Sequence, residues 1–142
     1  DIPDACIGSD VIVGFPGETE DDFLETYNFL NELNISYLHV FAYSERSNTS
    51  AIEMGERVSK ETKADRSKML HILSDKKRRY FHDQFIKKNR LVLFENMKNG
   101  KIVGHTDNYI KVQVEGGTNL VNTIQPVMMK ENHTSLVGGV LN

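Results

Sequence analysis

The sequence predicts an α/β region followed by an all-β region, with a long helix between them. Three observations support this organisation. Two apolar runs flank a glycine-rich turn and an acidic amphipathic segment in the first third of the chain. A long helical pattern begins at Ser59, and the remainder alternates with a period of two between turn signals. We expect three regions: residues 1–58, 59–90 and 91–142.

Composition limits the chain to one ordinary domain or two small ones. It has 142 residues, of which 39% are hydrophobic. It contains no stretch of eighteen apolar residues and no basic leader, so we expect no membrane partner and a cytoplasmic location. Cys6 is the only cysteine, which excludes an internal disulfide and a multi-cysteine metal site built from this chain alone. Because the chain starts at Asp1 with what looks like the end of an element, we expect it to be a piece of a longer protein.

Charge is distributed unevenly along the chain, although the formal net charge is only −3. Residues 1–58 carry a net charge of −10, residues 59–90 carry +7, and residues 91–142 are neutral. The basic block is typical either of a surface that faces a polyanion or of a solvated helix face.

The first strand and helix are predicted from residues 10–33. Val11, Ile12 and Val13 form the apolar run of a strand that is buried on both faces, as strands of parallel sheets are. Thr19 is a good N-cap, and the acidic residues after it favour the positive end of a helix dipole. The helix should begin near Glu20, with an apolar stripe on one face and Asn34 as its C-terminal cap.

The second strand follows at residues 37–43 and completes a right-handed βαβ unit. Alternation places Tyr37, His39, Phe41 and Tyr43 on one face, opposite an aliphatic face that suits packing under helices. His39 and Tyr43 need hydrogen-bond partners, so this face points towards a pocket or a barrel interior, or else His39 is a satisfied histidine of a packed sheet. In the first strand, the corresponding face carries Asp10, Ile12 and Gly14.

The long helix should run for about 28 residues from its cap at Ser59 and connect the two regions. Its predicted apolar stripe consists of Met69, Ile72, Leu73, Tyr80 and Phe81. Four successive basic residues point in different directions on a helix, so only some of them could contact one phosphate backbone. Lys76 and Lys77 are the candidates that we select for RNA binding.

The last third should form about five short strands, with the Asn99–Gly100 pair as the strongest hairpin signal. So many strands in about fifty residues close most economically as a small barrel of the oligonucleotide-binding kind. Its outward charges and an aromatic ring are typical of an RNA surface, although they could also be ordinary solubilising side chains. The candidate residues are Lys98, Lys101, His105, Tyr109 and Lys111.

Three segments together resemble the C-terminal half of the radical S-adenosylmethionine methylthiotransferases that modify tRNA. They are residues 10–19 (DVIVGFPGET), 39–46 (HVFAYSER) and 104–109 (GHTDNY). Residues 43–46 and 92–95 most resemble the branch that methylthiolates threonylcarbamoyladenosine beside the anticodon. The resemblance implies that residues 1–58 are the last βα units of the partial TIM-like barrel of radical S-adenosylmethionine enzymes. It also implies that residues 91–142 are a TRAM domain, a small β-barrel that binds the anticodon arm of tRNA.

The resemblance implies specific roles for some residues but supplies no catalytic residue or metal ligand. Asp10, Ile12 and Gly14 would lie against the adenosyl moiety of S-adenosylmethionine, and Phe41 and Tyr43 would border its adenine. Arg46 would meet a carboxylate or a phosphate, although residues 46–49 read RSNT where family members often have RPGT. The full-length enzyme would use two 4Fe–4S clusters, but their cysteine motifs are absent here. We therefore expect this chain alone to bind no cofactor and to be inactive.

The sequence is also compatible with two other functions. One is an RNA-binding module without catalysis. The other is a phosphate-binding α/β enzyme that uses residues 14–19 as an anion loop, although that turn lacks a lysine and precedes three acidic residues. An exposed edge strand of a partial barrel would also allow self-association.

Overall fold

The computed structural model describes residues 2–45, 49–54 and 56–141, and for residues 52 and 53 it describes only the backbone. These residues form two compact units. An α/β unit spans Ile7–Ser74, and a barrel unit combines the residues up to Cys6 with those from Asp75 onwards. Among the helices described, none is both long and apolar enough to span a lipid bilayer.

The α/β unit contains the predicted strand, helix and strand. Strand β1 (Gly8–Val13) pairs in parallel with β2 (Tyr37–Ala42), and helix α1 (Glu20–Glu32) connects them. A short 3₁₀ turn at Ser50–Glu53 precedes helix α2 (Lys60–Asp83), whose residues up to Ser74 belong to this unit. The parallel pairing confirms the βαβ prediction.

Helix α1 begins where the sequence predicts, because a capping box fixes its first turn. The Thr19 hydroxyl accepts a hydrogen bond from the Asp22 backbone N–H at 3.2 Å, and the Asp22 carboxylate accepts one from the Thr19 N–H at 2.9 Å. At the other end, Leu33 rather than the predicted Asn34 is the C-terminal cap residue.

Within the described residues only one face of the two-stranded sheet is covered, so β1 is not buried on both faces as the sequence predicted. On the covered face, residues of both strands and both helices form a continuous core: Val11, Val13, Phe23, Leu30, Leu38, Leu70 and Leu73. On the other face, Ile12 and Phe41 are register partners and are 57% and 52% exposed. The apolar run reflects one face that packs against helices and a second apolar face that the described residues leave open.

Helix α2 has 24 residues instead of about 28, and its buried stripe differs from the prediction. Leu73 and Phe81 are buried as predicted, but Met69, Ile72 and Tyr80 are exposed, and the buried stripe instead includes Leu70. The helix ends at Asp83 because the backbone beyond it bonds to a strand. The Lys87 N–H donates to the Met129 carbonyl at 2.8 Å, and the Met129 N–H donates to the Lys88 carbonyl at 3.0 Å.

The barrel unit contains five strands that close on themselves. They are β3 (Asn89–Lys98), β4 (Lys101–Thr106), β5 (Lys111–Val114), β6 (Ile124–Asn132) and β7 (Val137–Leu141). The order around the barrel is β3–β4–β5–β7–β6, and β3 also pairs with β6. This arrangement confirms the predicted five-stranded barrel and is compatible with the oligonucleotide-binding type. A 3₁₀ turn at Thr118–Leu120 connects β5 and β6.

The barrel core is filled from every strand and from the chain segment that precedes β3. Its fully buried members include Phe85, Phe94, Ile110 and Met129, and Cys6 packs against it from the N-terminal segment. Gly104 allows β3 and β4 to approach closely, because a Cβ atom there would collide with the Leu93 carbonyl oxygen.

Two turns determine the shape of the surface at β4. Asn99 and Gly100 both have positive φ, which confirms the predicted hairpin between β3 and β4. Tyr109 lies in the turn before β5 with a φ of +62°. The Tyr109 N–H donates to the Thr106 carbonyl at 3.1 Å, and this turn directs the strand away from the tyrosine.

Candidate cofactor cavity and nucleic-acid interface

A largely apolar cavity of about 380 Å³ lies at the carboxyl end of β2 on the open face of the sheet. Three of the five predicted cofactor-binding residues line it, namely Ile12, Phe41 and Tyr43. Ligand sites of α/β folds are found at the carboxyl ends of parallel strands, and apolar walls with a few polar groups are typical of sites for organic ligands.

Tyr43 supplies a polar group to this cavity. Its backbone N–H donates to the Val13 carbonyl at 2.8 Å, and its ring packs edge-on against Phe15 with centroids 5.2 Å apart. Its hydroxyl is buried and has no hydrogen-bond partner among the described residues. A buried hydroxyl without a partner is costly, so it is a group that a ligand would satisfy.

The other two predicted cofactor residues do not line the cavity. Asp10 is exposed and lies two residues before Ile12 on the same face, opposite His39 in the parallel register. Gly14 lies in the turn after β1 with a φ of +73°, and the stem of Lys63 occupies the space where a Cβ atom would be. In this structure, Gly14 leaves room for a side chain of α2.

The turn after β1 is held by a buried arginine that sequence analysis missed. The Arg66 side chain is 6% exposed, and its guanidinium pairs with the Glu18 carboxylate and lies 3.1 Å from a Glu20 carboxylate oxygen. The same Glu18 carboxylate accepts a hydrogen bond from the Gly14 N–H at 2.8 Å. The signal was present in the sequence, since Arg66 precedes Leu70 and Leu73 at helical spacing on the buried stripe.

On the barrel, three predicted RNA-binding residues lie close together. His105 and Lys111 are register partners on β4 and β5, and the Tyr109 ring lies 6.2 Å from the His105 ring. Tyr109 is 81% exposed, so its ring faces are available for stacking. The His105 Nδ1 lies 3.0 Å from a Glu95 carboxylate oxygen, which holds the imidazole in place.

Lys98 and Lys101 lie apart from that cluster, on either side of the Asn99–Gly100 turn, where they are register partners. Lys101 forms an ion pair with Glu115 at 3.2 Å. The two positive charges therefore lie at the tip of the first barrel hairpin, although Glu115 partly neutralises one of them.

A row of exposed apolar residues next to His105 was not predicted. The register runs from Ile124 on β6 to Leu93 on β3, His105 on β4 and Lys111 on β5. Ile124 and Leu93 are both exposed. The sequence could not indicate that these residues form a single row, because the row depends on the pairing of strands that are distant in the chain.

The remaining predicted RNA-binding residues are not brought into these clusters. Lys76 is exposed on α2, whereas Lys77 is half-buried, and its burial lowers the pKa of its ammonium group, with a further contribution from neighbouring Lys76. Arg46 lies outside the described residues. Within the described part of the chain, no three His, Cys, Asp or Glu residues are grouped so as to hold a metal ion.

Comparison with known proteins identifies homologues over most of the chain, although no family model matches it. The threonylcarbamoyladenosine tRNA methylthiotransferase MtaB of Bacillus subtilis is 39% identical over 131 residues, and that of Aquifex aeolicus is 41% identical over 116. The ribosomal protein uS12 methylthiotransferase RimO of Alkaliphilus oremlandii is 36% identical over 132 residues. These alignments cover 89%, 80% and 91% of this chain, but only 29%, 27% and 30% of the respective relatives.

Proposed function

This chain is a homologue of the methylthiotransferases, and we propose that it forms part of an enzyme that adds a methylthio group to a modified adenosine of tRNA. The observation that carries the proposal is the 39% identity to MtaB of Bacillus subtilis over 131 residues. We favour threonylcarbamoyladenosine beside the anticodon as the substrate, because the two relatives described as acting on it are 39% and 41% identical. In this proposal, residues 1–58 form the last βα units of a partial radical S-adenosylmethionine barrel. Residues 59–90 form a basic connecting helix, and residues 91–142 form a TRAM domain.

The α/β unit would contribute one wall of an S-adenosylmethionine site. Ile12 and Phe41 offer an apolar surface that suits an adenine ring, and the unpartnered Tyr43 hydroxyl offers a hydrogen bond. S-adenosylmethionine supplies the methyl group and the radical chemistry of such reactions. The side chains of this unit would bind the cofactor, orient it and exclude water.

The residues of this chain do not fit an iron–sulfur cluster. Such clusters are held by several cysteine thiolates, whereas the single cysteine of this sequence, Cys6, packs against the barrel core. In the proposed enzyme, both 4Fe–4S clusters would be held by cysteines outside this sequence, so we expect this chain alone to be inactive.

The barrel unit would bind the anticodon arm of tRNA. Barrels of the oligonucleotide-binding kind bind through the face of their second and third strands and through the loop between the first and second strands. Here that face carries His105 and Lys111, and that loop is flanked by Lys98 and Lys101. Tyr109 adds an exposed ring on which an unpaired base can stack.

The experiment that tests the proposal is nucleoside analysis of tRNA by liquid chromatography and mass spectrometry, in cells with and without the gene. We expect the 2-methylthio form of threonylcarbamoyladenosine to disappear without the gene and to return with the full-length protein. Loss of the methylthio group from dimethylallyladenosine, or from protein uS12, would contradict the favoured substrate. No change in any of these would favour an RNA-binding module without catalysis.

Two matched variants link this activity to the cavity. We expect Phe41→Asp in the full-length protein to lower methylthiolation at least about tenfold, because a carboxylate in the apolar cavity disfavours a bound adenosyl group. Phe29→Asp is the control, since Phe29 is 60% exposed on α1 and does not line the cavity. Equal effects of the two substitutions would remove the cavity from the proposed mechanism.

A further inference from the structure

A second, more polar groove of about 630 Å³ lies next to the cofactor cavity in the α/β unit. It lies between the segment after β2 and the first two turns of α2, and it shares Ala42, Tyr43 and Ser44 with the cavity. Among its lining residues only Tyr43 has been assigned to the cofactor site, and none of its cationic side chains has been given a role.

Positive charges predominate in the lining of the groove. Arg57, Lys60 and Lys63 line it, against a single acidic residue, Glu45. Arg57 uses its Nε to pair with Glu45 at 2.9 Å, which leaves the other guanidinium donors available for a ligand. Three cationic side chains against one carboxylate give the lining a net charge of +2.

Lys63 is held in position before any ligand arrives. Its stem packs over Gly14, and its ammonium donates to the Tyr43 carbonyl at 3.2 Å and lies 5.4 Å from the Tyr43 ring centroid. An ammonium group has three N–H donors, so one hydrogen bond leaves two for an anion. Preorganised charged donors bind more tightly, because less side-chain entropy is lost on binding.

Hydroxyl groups and a helix end complete the groove. Ser44 and Ser67 line it and offer hydroxyl donors. The groove also faces the first turns of α2, where the helix dipole favours a negative charge. Arginine, lysine and hydroxyl donors together suit the several oxygens of a phosphate group better than a single carboxylate.

We propose that this groove binds a phosphate group of the RNA backbone. The inference rests on the function proposed above, because a base that is modified beside S-adenosylmethionine brings its own phosphates close to the cofactor cavity. The groove is separated from that cavity only by the segment that both share. It would anchor the substrate strand independently of the barrel surface.

The test uses this 142-residue chain and nuclear magnetic resonance titration of its backbone amides. We expect a short single-stranded RNA to shift the amides of Ser44, Lys60 and Ser67, with a smaller response to adenosine monophosphate or inorganic phosphate at equal concentration. Lys60→Met and Lys63→Met should each weaken RNA binding about tenfold, the loss expected for one charge-assisted hydrogen bond. Glu45→Gln should strengthen binding, because it removes the carboxylate that pairs with Arg57 in the groove.

Lys68→Met is the control, since Lys68 is exposed on the same helix and does not line the groove. Equal effects of the Lys63 and Lys68 substitutions, or no shift in the groove amides, would overturn the inference. Because Lys63 contacts Gly14, the exposed Lys60 provides a variant whose folding should be unaffected. An equal response to inorganic phosphate and RNA would overturn the assignment to an RNA backbone.

This experiment measures binding without catalysis, so its outcome is independent of the nucleoside analysis. Groove shifts together with unchanged tRNA nucleosides would contradict the methylthiotransferase proposal alone. Loss of the nucleoside without groove shifts would contradict only the phosphate site.

Discussion

The two units of the molecule use their β-strands in opposite ways. In the barrel unit, five strands enclose a core that the strands and the segment before β3 fill, so only the outer surface is available for binding. In the α/β unit, two strands bury one face under helices and leave Ile12 and Phe41 exposed on the other. Binding in the α/β unit must therefore use the open sheet face and the strand ends, whereas binding in the barrel unit must use the outside of the closed barrel.

The units also differ in how they use charge. Arg66 of the α/β unit is buried and pairs with Glu18 in the turn after β1, whereas the Lys101–Glu115 ion pair of the barrel is exposed to solvent. Breaking a buried pair leaves a charge without compensation, while exposed pairs contribute little. Loss of the Arg66 ion pair should therefore cost the α/β unit more than loss of the Lys101–Glu115 pair costs the barrel.

The largest expected effect comes from Arg66→Met. We expect it to lower the free energy of unfolding of the α/β unit by about 3 kcal/mol, because the Glu18 carboxylate stays largely buried without its partner. Amide hydrogen exchange would measure this as lost protection at Val13 and Leu38, with unchanged protection at Val112 in the barrel.

Arg57→Met is the matched control, since the ion pair between Arg57 and Glu45 is exposed and should contribute less than about 1 kcal/mol. If both substitutions cost the same, or if the barrel amides lose protection as much as Val13 does, the contrast between the two units would not hold.

Sequence patterns predicted the strands and helices better than they predicted which faces of these elements are covered. The strand, turn and helix at the start of the chain follow from apolar runs and from the Thr19 cap, because these signals are local. Alternation correctly separated Leu38 from His39 and Phe41 in β2. It could not show whether the second face of the sheet is covered, because that depends on residues far away in the sequence.

The helix α2 shows why part of the candidate site was missed. Two neighbouring apolar stripes on a helix can differ by a single residue in register. The prediction chose the stripe that contains Met69 and Ile72, whereas the buried stripe contains Leu70. A buried arginine is also unusual, so Arg66 was counted with the solvated charges. Its role depends on Glu18, which lies 48 residues earlier in the chain.

A smaller effect is expected when the exposed ring of the barrel is removed. Tyr109→Ala should weaken binding of single-stranded RNA by about 1–2 kcal/mol, the contribution of one base stacked on an aromatic ring. Fluorescence anisotropy with a labelled oligonucleotide would measure it. The comparison predicts no such loss for Phe29→Ala, which removes a ring on the helical side of the α/β unit.

Stacking should also be nearly independent of salt, unlike phosphate contacts. Tyr109→Ala should therefore leave the slope of log affinity against log salt unchanged, whereas Lys111→Met should reduce it by about 0.7 if Lys111 contacts a phosphate. An unchanged affinity after both substitutions would exclude the face of β4 and β5 from the RNA-binding surface.

The smallest expected effect is a pH dependence of the stability of the barrel unit. His82 lies in the barrel unit, and its burial lowers the pKa of its imidazole below the ordinary value of about 6.5, while a hydrogen bond with Asn132 opposes the shift. Arg78 lowers this pKa further, and Asp83 raises it. The unfolded chain then binds a proton more readily than the folded one, so the barrel loses stability as the pH falls below about 6.5.

His82→Gln tests this, because an amide side chain does not titrate. We expect its unfolding free energy, measured with urea between pH 7.5 and 5.5, to depend less steeply on pH than that of the original chain. His71→Gln is the control, since His71 is exposed to solvent on the same helix. If lowering the pH reduces the protection of the α/β amides against hydrogen exchange and not that of the barrel amides, the acid-sensitive group lies in the α/β unit. In that case the closed barrel would be the less pH-dependent of the two units.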